Sequence, residues 1–281
     1  MQTGAKHIRS GLLEPDESEP VTVFNETGQS PWLLVADHAG NMIPRALGTL
    51  GVPEPEHYRH IAWDIGIADV SQIVGAALDV TVIQQNYSRL VIDCNRPLGS
   101  PTSIPELSEF TAIPGNVGLS EGQRAARERA IFWPYHVWIA DELDRRRDIG
   151  RQTVLVATHS FTPVFKGVPR PWHVGALYGR NSRLARVFVS LLRSETGLVV
   201  GDNEPYRVTD TSDFTIPVHG EQRGLHHVGI EIRQDLIADA NGQCEWAERL
   251  ARVLRNASEV LLMSDAKHGP IYRAPDAGVR R

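Results

Sequence analysis

The feature that most constrains the fold of this chain is a buried-strand pattern that ends abruptly in a histidine. Residues 32–36 read WLLVA, an apolar run with the length and β-rich character of a buried strand. The chain then becomes polar at Asp37-His38, Gly40 relieves the backbone, and Pro44 stops any return to a strand. Because open α/β sheets place their chemistry beyond the carboxyl ends of their strands, His38 is a candidate functional residue.

The same arrangement occurs a second time. Residues 153–158 read TVLVAT and lead directly into His159. Each histidine alone could be an ordinary turn residue. Two buried strands that each end in a histidine instead predict two imidazoles at one edge of a sheet, which is the geometry that a metal ion needs.

Strand and helix patterns alternate along the chain. The predicted strands are 21–24, 31–36, 81–84, 90–93, 153–158, 174–178, 199–202 and 226–233, and the predicted helices are 68–78, 120–147, 182–196 and 244–262. This alternation predicts an α/β protein with a parallel or mixed sheet that helices cover on both faces.

A single domain is predicted, because the chain shows no internal repeat and no linker. We expect a flexible N-terminal arm at 1–20, one α/β domain at 21–263 and a polar C-terminal tail at 264–281. Segment 97–119 is rich in proline and glycine and has poor periodicity. A loop of this length usually covers a site or is partly disordered.

Composition argues against several classes of protein. The formal net charge is -5 and no face reads as a basic stripe, so a nucleic-acid partner is not expected. The chain lacks a membrane-spanning apolar run and a signal peptide, so we expect a cytoplasmic protein. Cys94 and Cys244 form no CxxC pair, which argues against a thiolate metal cage and a disulfide framework. No Gly-rich phosphate loop follows a strand, and the oligomeric state is not specified.

Two imidazoles and one carboxylate would satisfy a hydrolytic zinc site, which keeps one position open for water. His38 and His159 are the predicted imidazole ligands, and Asp64 is the predicted carboxylate ligand. Asp37 and the amide oxygen of Asn41 are alternatives for the third position. Asp64 could equally be a helix N-terminal residue that the helix dipole favours.

A second group of polar residues follows the predicted strand at 90–93. Arg89 and Arg96 flank this strand, and Asn95 stands beside Arg96. A guanidinium next to an amide suits bidentate recognition of a carboxylate, so these residues are candidates for substrate binding. The alternative is a structural salt bridge to Asp93 or Glu106.

Glu231 lies within the last predicted strand, between aliphatic residues. A carboxylate in this position is costly unless it is paired or faces a cavity. Burial would raise the pKa of its side chain and a nearby metal would lower it again, which suits a general base. The alternative is an ion pair with Arg233, which lies on the same strand face.

The motifs together resemble those of one known family. In chain order they are the His38 loop, SRLVIDCNR at 88–96, THSF at 158–161 and GIE at 229–231. This order resembles the N-formylglutamate amidohydrolase family, which is similar in turn to zinc carboxypeptidases and to the aspartoacylase and succinylglutamate desuccinylase group. The resemblance covers roughly residues 30–255.

The resemblance implies a three-layer α/β/α fold around a central mixed sheet, like that of the zinc carboxypeptidases, and one catalytic zinc ion per chain. It implies that His38 and His159 bind the zinc and that Glu231 activates the water. Where the carboxypeptidase relatives have the glutamate of an HxxE motif, this chain has Asn41. The third ligand therefore stays open between the candidates above.

The resemblance also implies that Asn95 and Arg96 hold a substrate carboxylate, with Arg89 a candidate for stabilising the oxyanion. The expected activity is metal-dependent removal of an N-acyl group from an amino acid, with N-formyl-L-glutamate as the leading substrate. One alternative is a carboxypeptidase-like peptidase, which would need an open groove. Another is a non-catalytic binding protein for acidic amino-acid derivatives, in which His38 and His159 would not meet. The acyl group, the preferred side chain and the native metal stay open.

Overall fold

A mixed seven-stranded sheet forms the centre of the computed structural model, which describes residues 11–268, with side chains as far as residue 260. The strands are β1 (Val21–Phe24), β2 (Trp32–Ala36), β3 (Thr81–Gln85), β4 (Val154–Phe161), β5 (Val174–Leu177), β6 (Val200–Asp202) and β7 (His226–Arg233). Their spatial order is β1-β3-β2-β4-β7-β5-β6. Strands β3, β2, β4 and β7 are parallel, whereas β1 is antiparallel to β3 and β5 is antiparallel to β7.

Between residues 11 and 268, five α-helices connect and cover these strands. The predicted helix at 120–147 is divided by a π-helical segment at Glu128–Phe132, after which Pro134 lies in the first turn of the helix Trp133–Asp148. Two small hairpins, Leu107–Ser108 with Thr111–Ala112 and Val164–Phe165 with Val168–Pro169, lie outside the main sheet. The helices are α1 (Ile67–Leu78), α2 (Glu121–Arg127), α3 (Trp133–Asp148), α4 (Arg183–Arg193) and α5 (Ala240–His268).

Alternate residues of β2 point into two separate hydrophobic cores. Trp32 and Leu34 pack with apolar residues of α1, α4 and α5 on one face of the sheet. Leu33 and Val35 pack on the other face with residues of α3 and the surrounding loops. Side chains alternate across a strand, so a strand buried on both faces reads as a continuous apolar run. The predicted three-layer α/β/α fold with a mixed sheet is confirmed.

Residues 90–93, which the sequence predicts as a strand, do not form one: residues 89–91 form a turn, and 92–93 are irregular. The Ser88 side chain accepts a hydrogen bond from the N–H of Leu90 at 3.1 Å and begins this turn structure. This apolar run is buried by tertiary packing and not by strand pairing. The pattern of a short apolar run does not distinguish these two kinds of burial. The turn brings Arg89 and Asp93 side by side.

Segment 97–119 is irregular but held in place. The Asn116 amide nitrogen donates to the carbonyl oxygens of Leu90 and Pro105, at 2.8 and 2.7 Å. The buried guanidinium of Arg127 in turn donates to the Asn116 side-chain oxygen at 2.7 Å. This polar anchor attaches the segment to the helical layer.

Both predicted terminal segments lie partly outside the described residues, which exclude 1–10 and 269–281. Residues 11–20 lie against the sheet edge: the Tyr87 hydroxyl donates to the Ser18 carbonyl at 2.8 Å, and the Asn86 N–H donates to the Pro20 carbonyl at 3.0 Å. This part of the predicted arm is therefore packed. Between residues 11 and 268, no helix has both the length and the apolar character of a membrane span.

Candidate metal centre and active site

The sheet places three predicted ligand side chains together at its carboxyl edge. His38 lies two residues beyond the end of β2, His159 lies in the neighbouring strand β4, and Asp64 precedes α1. The N–H of Asp64 donates to the carbonyl of His38 at 2.9 Å, which holds the start of α1 beside the β2 loop. One ligand atom from each side chain lies within 4.8 Å of the others, and all three side chains are buried.

Both histidines direct the same ring nitrogen towards one carboxylate oxygen. Oδ2 of Asp64 lies 2.9 Å from Nδ1 of His159 and 3.4 Å from Nδ1 of His38. Burial opposes ionisation of Asp64, but the charges and hydrogen bonds of the two histidines outweigh it, and the pKa of Asp64 is lowered. The three side chains therefore converge with their polar atoms facing one another.

The opposite ring nitrogens each face a second carboxylate. Nε2 of His38 lies 2.7 Å from Oδ1 of Asp93, and Nε2 of His159 lies 3.2 Å from Oδ2 of Asp37. Histidines that bind metals typically donate their other N–H to a carboxylate, which fixes the tautomer and the orientation of the ring. Both rings thus have the surroundings of a metal ligand, with Nδ1 directed towards the shared centre.

The donor set fits a divalent metal ion. Two imidazoles and one carboxylate match the ligands of a hydrolytic zinc site that keeps a coordination position open. The buried carboxylates of Asp37, Asp64 and Asp93 face the two imidazoles, the Arg89 guanidinium and, 4.0 Å from Asp93, Arg96. With both imidazoles neutral, as metal ligands are, three buried negative charges face two guanidinium groups, and a cation at this centre would supply the remaining compensation.

The two alternatives for the third ligand have other contacts. The Asn41 amide nitrogen donates to the carbonyl of His57 at 3.1 Å. Asp37 accepts a hydrogen bond from the Thr215 hydroxyl at 2.6 Å and faces His159 from the far side of the ring. Of the three candidates, Asp64 is the one that lies beside Nδ1 of both histidines.

Gly40 allows the His38 loop to lie against its neighbour. A Cβ atom at this position would lie 2.0 Å from the backbone carbonyl oxygen of Asn86. The N–H of Met42 donates to that carbonyl at 3.2 Å, and the N–H of Ser88 donates to the carbonyl of Met42 at 2.8 Å. Only glycine permits this approach, which joins the His38 loop to the segment that carries Arg89.

Arg89 forms a salt bridge with Asp93, which is the structural alternative to substrate binding that was expected from the sequence. Nε and Nη2 of Arg89 donate to Oδ2 of Asp93 at 3.1 and 2.7 Å. Nη1 lies 3.5 Å from Oδ1 of Asp64, so the same guanidinium also borders the ligand cluster. The sequence did not predict that Asp93 lies between Arg89 and His38, because a strand at 90–93 would have separated Asp93 from Arg89.

Asn95 and Arg96 both contact segment 212–215. The side-chain oxygen of Asn95 accepts two hydrogen bonds from backbone N–H groups of this segment, each of 3.1 Å. Nη1 of Arg96 donates to the carbonyl of Ser212 at 2.5 Å, and its Nε lies 4.0 Å from Oδ2 of Asp93. The two predicted substrate-binding residues thus lie near the cluster and hold the loop that borders it.

Glu231 lies on β7 directly beside the ligand strand. It pairs in register with His159 on β4 and with Gly175 on β5, and it is only 6% exposed. Within the described part of the chain, its Oε2 atom has no hydrogen-bond partner. Arg233, the alternative partner, pairs with Asp235 at 2.8 Å. Burial raises the pKa of Glu231 to about 7, although the positive charge of His159 acts to lower it.

A pair of buried histidines lies behind this site. Nδ1 of His136 lies 3.0 Å from Nε2 of His219, and the rings are stacked with centroids 5.2 Å apart. Nε2 of His136 lies 2.8 Å from the carbonyl oxygen of Cys94, within the SRLVIDCNR motif. Burial lowers the pKa of His136 to about 4 and that of His219 to about 3, so both are neutral at pH 7.

Comparison with known proteins identifies the family. The model of the N-formylglutamate amidohydrolase family matches residues 30–238. The N-formylglutamate deformylase of Pseudomonas putida is 28% identical over 169 residues, which cover 55% of this chain and 62% of that protein. The match thus spans less than two thirds of the length of this relative.

Two solved structures show the same fold. A gene product of Agrobacterium tumefaciens is 36% identical with a TM-score of 0.86, over 89% of this chain and 99% of that chain. The N-formylglutamate amidohydrolase of Ralstonia eutropha JMP134 is 18% identical with a TM-score of 0.57, over 86% and 98% of the two chains. These findings confirm the resemblance that the motifs indicate. The chain belongs to the N-formylglutamate amidohydrolase family.

Proposed function

We propose that this protein is a metal-dependent amidohydrolase that removes an N-acyl group, most readily formyl, from an amino acid such as N-formyl-L-glutamate. The observation that carries this proposal is the buried Glu231 carboxyl on the strand next to His159, one oxygen of which has no hydrogen-bond partner among residues 11–260. A carboxyl with a raised pKa beside a metal-type ligand cluster is typical of a hydrolytic site. Membership of the family and the name of the P. putida relative support the substrate.

The metal would be held by His38, Asp64 and His159, and zinc is the proposed ion, one per chain, because it accepts imidazole and carboxylate ligands together. When bound, it would supply Lewis-acid polarisation of the acyl carbonyl and lower the pKa of a water molecule at the site. Asp93 and Asp37 hold the two imidazole rings in orientation from behind.

Glu231 is the proposed general base. With a pKa of about 7, its carboxylate can take a proton from the attacking water and return it to the leaving amine. The water oxygen adds to the acyl carbon, the C–N bond breaks, and the products of the formyl substrate are formate and a free amino acid. The absence of a hydrogen-bond partner on Oε2, among the described residues, leaves that oxygen available for the transfer.

Arg89 is proposed to stabilise negative charge on the carbonyl oxygen, since its guanidinium borders the cluster and Asp93 fixes its orientation. Arg96 is proposed to bind the α-carboxylate, with Asn95 holding the neighbouring loop and completing the substrate-binding pair. Charge-assisted contacts of this kind fix the scissile carbonyl against the catalytic groups.

The binding-protein alternative requires that the two histidines lie apart. The ring centroids of His38 and His159 are 5.1 Å apart, which supports the hydrolase over that alternative.

The test is hydrolysis of N-formyl-L-glutamate by zinc-reconstituted protein, measured as release of the primary amine. We expect the parent to be active and Glu231→Gln to lose roughly 10²–10⁴-fold in kcat. The variant should retain its zinc and its unfolding midpoint, because the amide has the same shape as the carboxyl. Cleavage of small peptides without cleavage of any N-formyl or N-acyl amino acid would favour the carboxypeptidase-like reading. Inactivity of metal-loaded protein towards all of these substrates would overturn the proposal.

A further inference from the structure

Arg170 lies among aromatic rings on the segment that follows β4. Its guanidinium carbon lies 4.6 Å from the ring centroid of Phe165, 4.7 Å from that of Tyr206 and 5.9 Å from that of Phe161. Its Nη1 donates to the Tyr206 hydroxyl at 2.7 Å. Ring contacts cover the faces of a guanidinium and leave N–H groups at its edge, where a carboxylate can bind in a bidentate manner.

This guanidinium lies close to the strand that carries His159. Phe161, which it contacts, is two residues beyond His159 on β4. Tyr206 belongs to the loop that follows β6, and Gly175 lets this loop approach: a Cβ atom there would lie 1.8 Å from the Glu204 carbonyl oxygen. Since Gly175 pairs in register with Glu231, the loop lies against the strand beside the catalytic carboxyl.

Electrostatic coupling supports this placement. Burial raises the pKa of Tyr206, the negative charge of Glu231 raises it further, and the positive charges of Arg170 and Arg89 act in the opposite direction. Arg89 and Arg170 also both act to lower the pKa of His60, in addition to the larger effect of burial. Arg170 therefore shares one electrostatic environment with the groups of the proposed site.

Among the residues that the structure describes, Arg89 and Arg96 lie near carboxylates of the protein, whereas Arg170 does not. Arg89 donates twice to Asp93, and Arg96 lies 4.0 Å from Asp93 and 3.9 Å from Asp213. Arg170, by contrast, has its contacts with aromatic rings and a phenol, and no carboxylate of the described residues pairs with it. Of these three arginines, Arg170 is therefore the one whose guanidinium is best able to bind a carboxylate of a ligand.

We propose that Arg170 is a specificity-determining residue whose guanidinium binds the side-chain carboxylate of N-formyl-L-glutamate. This inference rests on the proposed function, in which Arg96 takes the α-carboxylate. Tyr206 acts as a positioning residue, since its hydroxyl and ring both contact the guanidinium of Arg170.

The test compares N-formyl-L-glutamate with N-formyl-L-glutamine, which has nearly the same shape and lacks the second negative charge. Arg170→Gln should raise KM for the glutamate derivative about 10- to 100-fold, the loss expected for a charge-assisted bidentate contact. KM for the glutamine derivative should change by no more than about threefold. Arg170→Lys should recover part of the preference, because it keeps the charge and loses the planar fork. Tyr206→Phe should raise KM for the glutamate derivative by about three- to tenfold.

The matched control is Arg252→Gln, which removes an exposed arginine paired with Glu195 away from the site. Equilibrium binding of L-glutamate and L-glutamine, measured by calorimetry on the parent and on Arg170→Gln, gives a readout that does not depend on turnover. Preferential loss of L-glutamate binding in Arg170→Gln would support the inference even if the parent hydrolysed neither substrate, an outcome that would overturn the proposed function alone. Equal losses for both ligands would show that Arg170 only supports the local fold, and unchanged binding would also overturn the inference.

Discussion

Oδ2 of Asp64 lies 2.9 Å from Nδ1 of His159, although 95 positions separate the two residues in the chain. The contact arises because β2 and β4 are neighbouring parallel strands and the start of α1 is bonded to the loop after β2. His38 comes from that same loop, so one sheet edge and one helix start bring all three side chains together. Each side chain is buried, which fixes the arrangement before any ligand arrives.

This contact predicts where metal binds. We expect protein purified without chelator to contain about one equivalent of zinc, and Asp64→Asn and His159→Ala to lose most of it. His173→Ala is the control, because that histidine accepts a hydrogen bond from the N–H of Val199, the residue before β6. Elemental analysis after gel filtration measures the content. Full zinc in Asp64→Asn would exclude Asp64 as the third ligand and return Asp37 to consideration.

The carboxylates behind the rings predict a second effect. Asp93→Asn and Asp37→Asn should each lower zinc affinity about 10- to 100-fold, because each removes the charge that orients a ligand imidazole. Asp210→Asn is the control, since Asp210 forms an exposed ion pair with Arg180. Competition with a chromophoric chelator measures the affinity. Unchanged affinity in both site variants would mean that these carboxylates do not support metal binding.

Much of the fold was predictable because it rests on local periodicity. The strands β2, β4 and β7 read as apolar runs of strand length, and their parallel order brings His38, His159 and Glu231 to one region. The prediction of a strand at 90–93 was wrong because burial under segment 97–119 produces the same apolar pattern as burial within a sheet.

The parts of the site that were not predictable depend on long-range contacts. Asp93 contacts His38 across 55 positions, and no spacing rule links them. Arg170 lies in an irregular segment with no periodic pattern, and its contact with Tyr206 depends on a glycine in another strand. Such contacts become visible only once the chain is folded.

The buried histidine pair predicts a pH dependence of stability. The pKa of His136 is about 4 in the folded chain, below the usual value of 6.5, because burial disfavours its charged form. Between these values the unfolded chain binds more protons, so stability is fully present above pH 6.5 and falls as the pH drops towards 4. This one residue accounts for a loss of about 3 kcal/mol over that range.

His136→Gln removes this titration, and we expect a smaller loss of unfolding free energy between pH 6.5 and pH 4 than in the parent. Urea denaturation at both pH values measures the difference. Identical pH profiles for the parent and His136→Gln would contradict the assignment.

The hydrogen bonds of Arg127 are predicted to keep segment 97–119 in place. Its guanidinium is buried and donates to the carbonyl oxygens of Val91 and Gly115 and to the side chain of Asn116, at 2.7–3.1 Å. Arg127→Met would leave these acceptors unsatisfied, and we expect a loss of about 2–3 kcal/mol in unfolding free energy. The segment should then open locally more often than in the parent.

Chymotrypsin cleavage after Phe110 measures this opening, because Phe110 is 73% exposed at the turn of the hairpin within the segment. Cleavage at this residue should be faster in Arg127→Met than in the parent under native conditions, since cleavage requires the backbone around the turn to leave its paired conformation. Arg124→Met, a half-buried arginine on the same helix, is the control and should match the parent. Equal cleavage rates in all three proteins would mean that the Asn116 contacts with Leu90 and Pro105 hold the segment without Arg127.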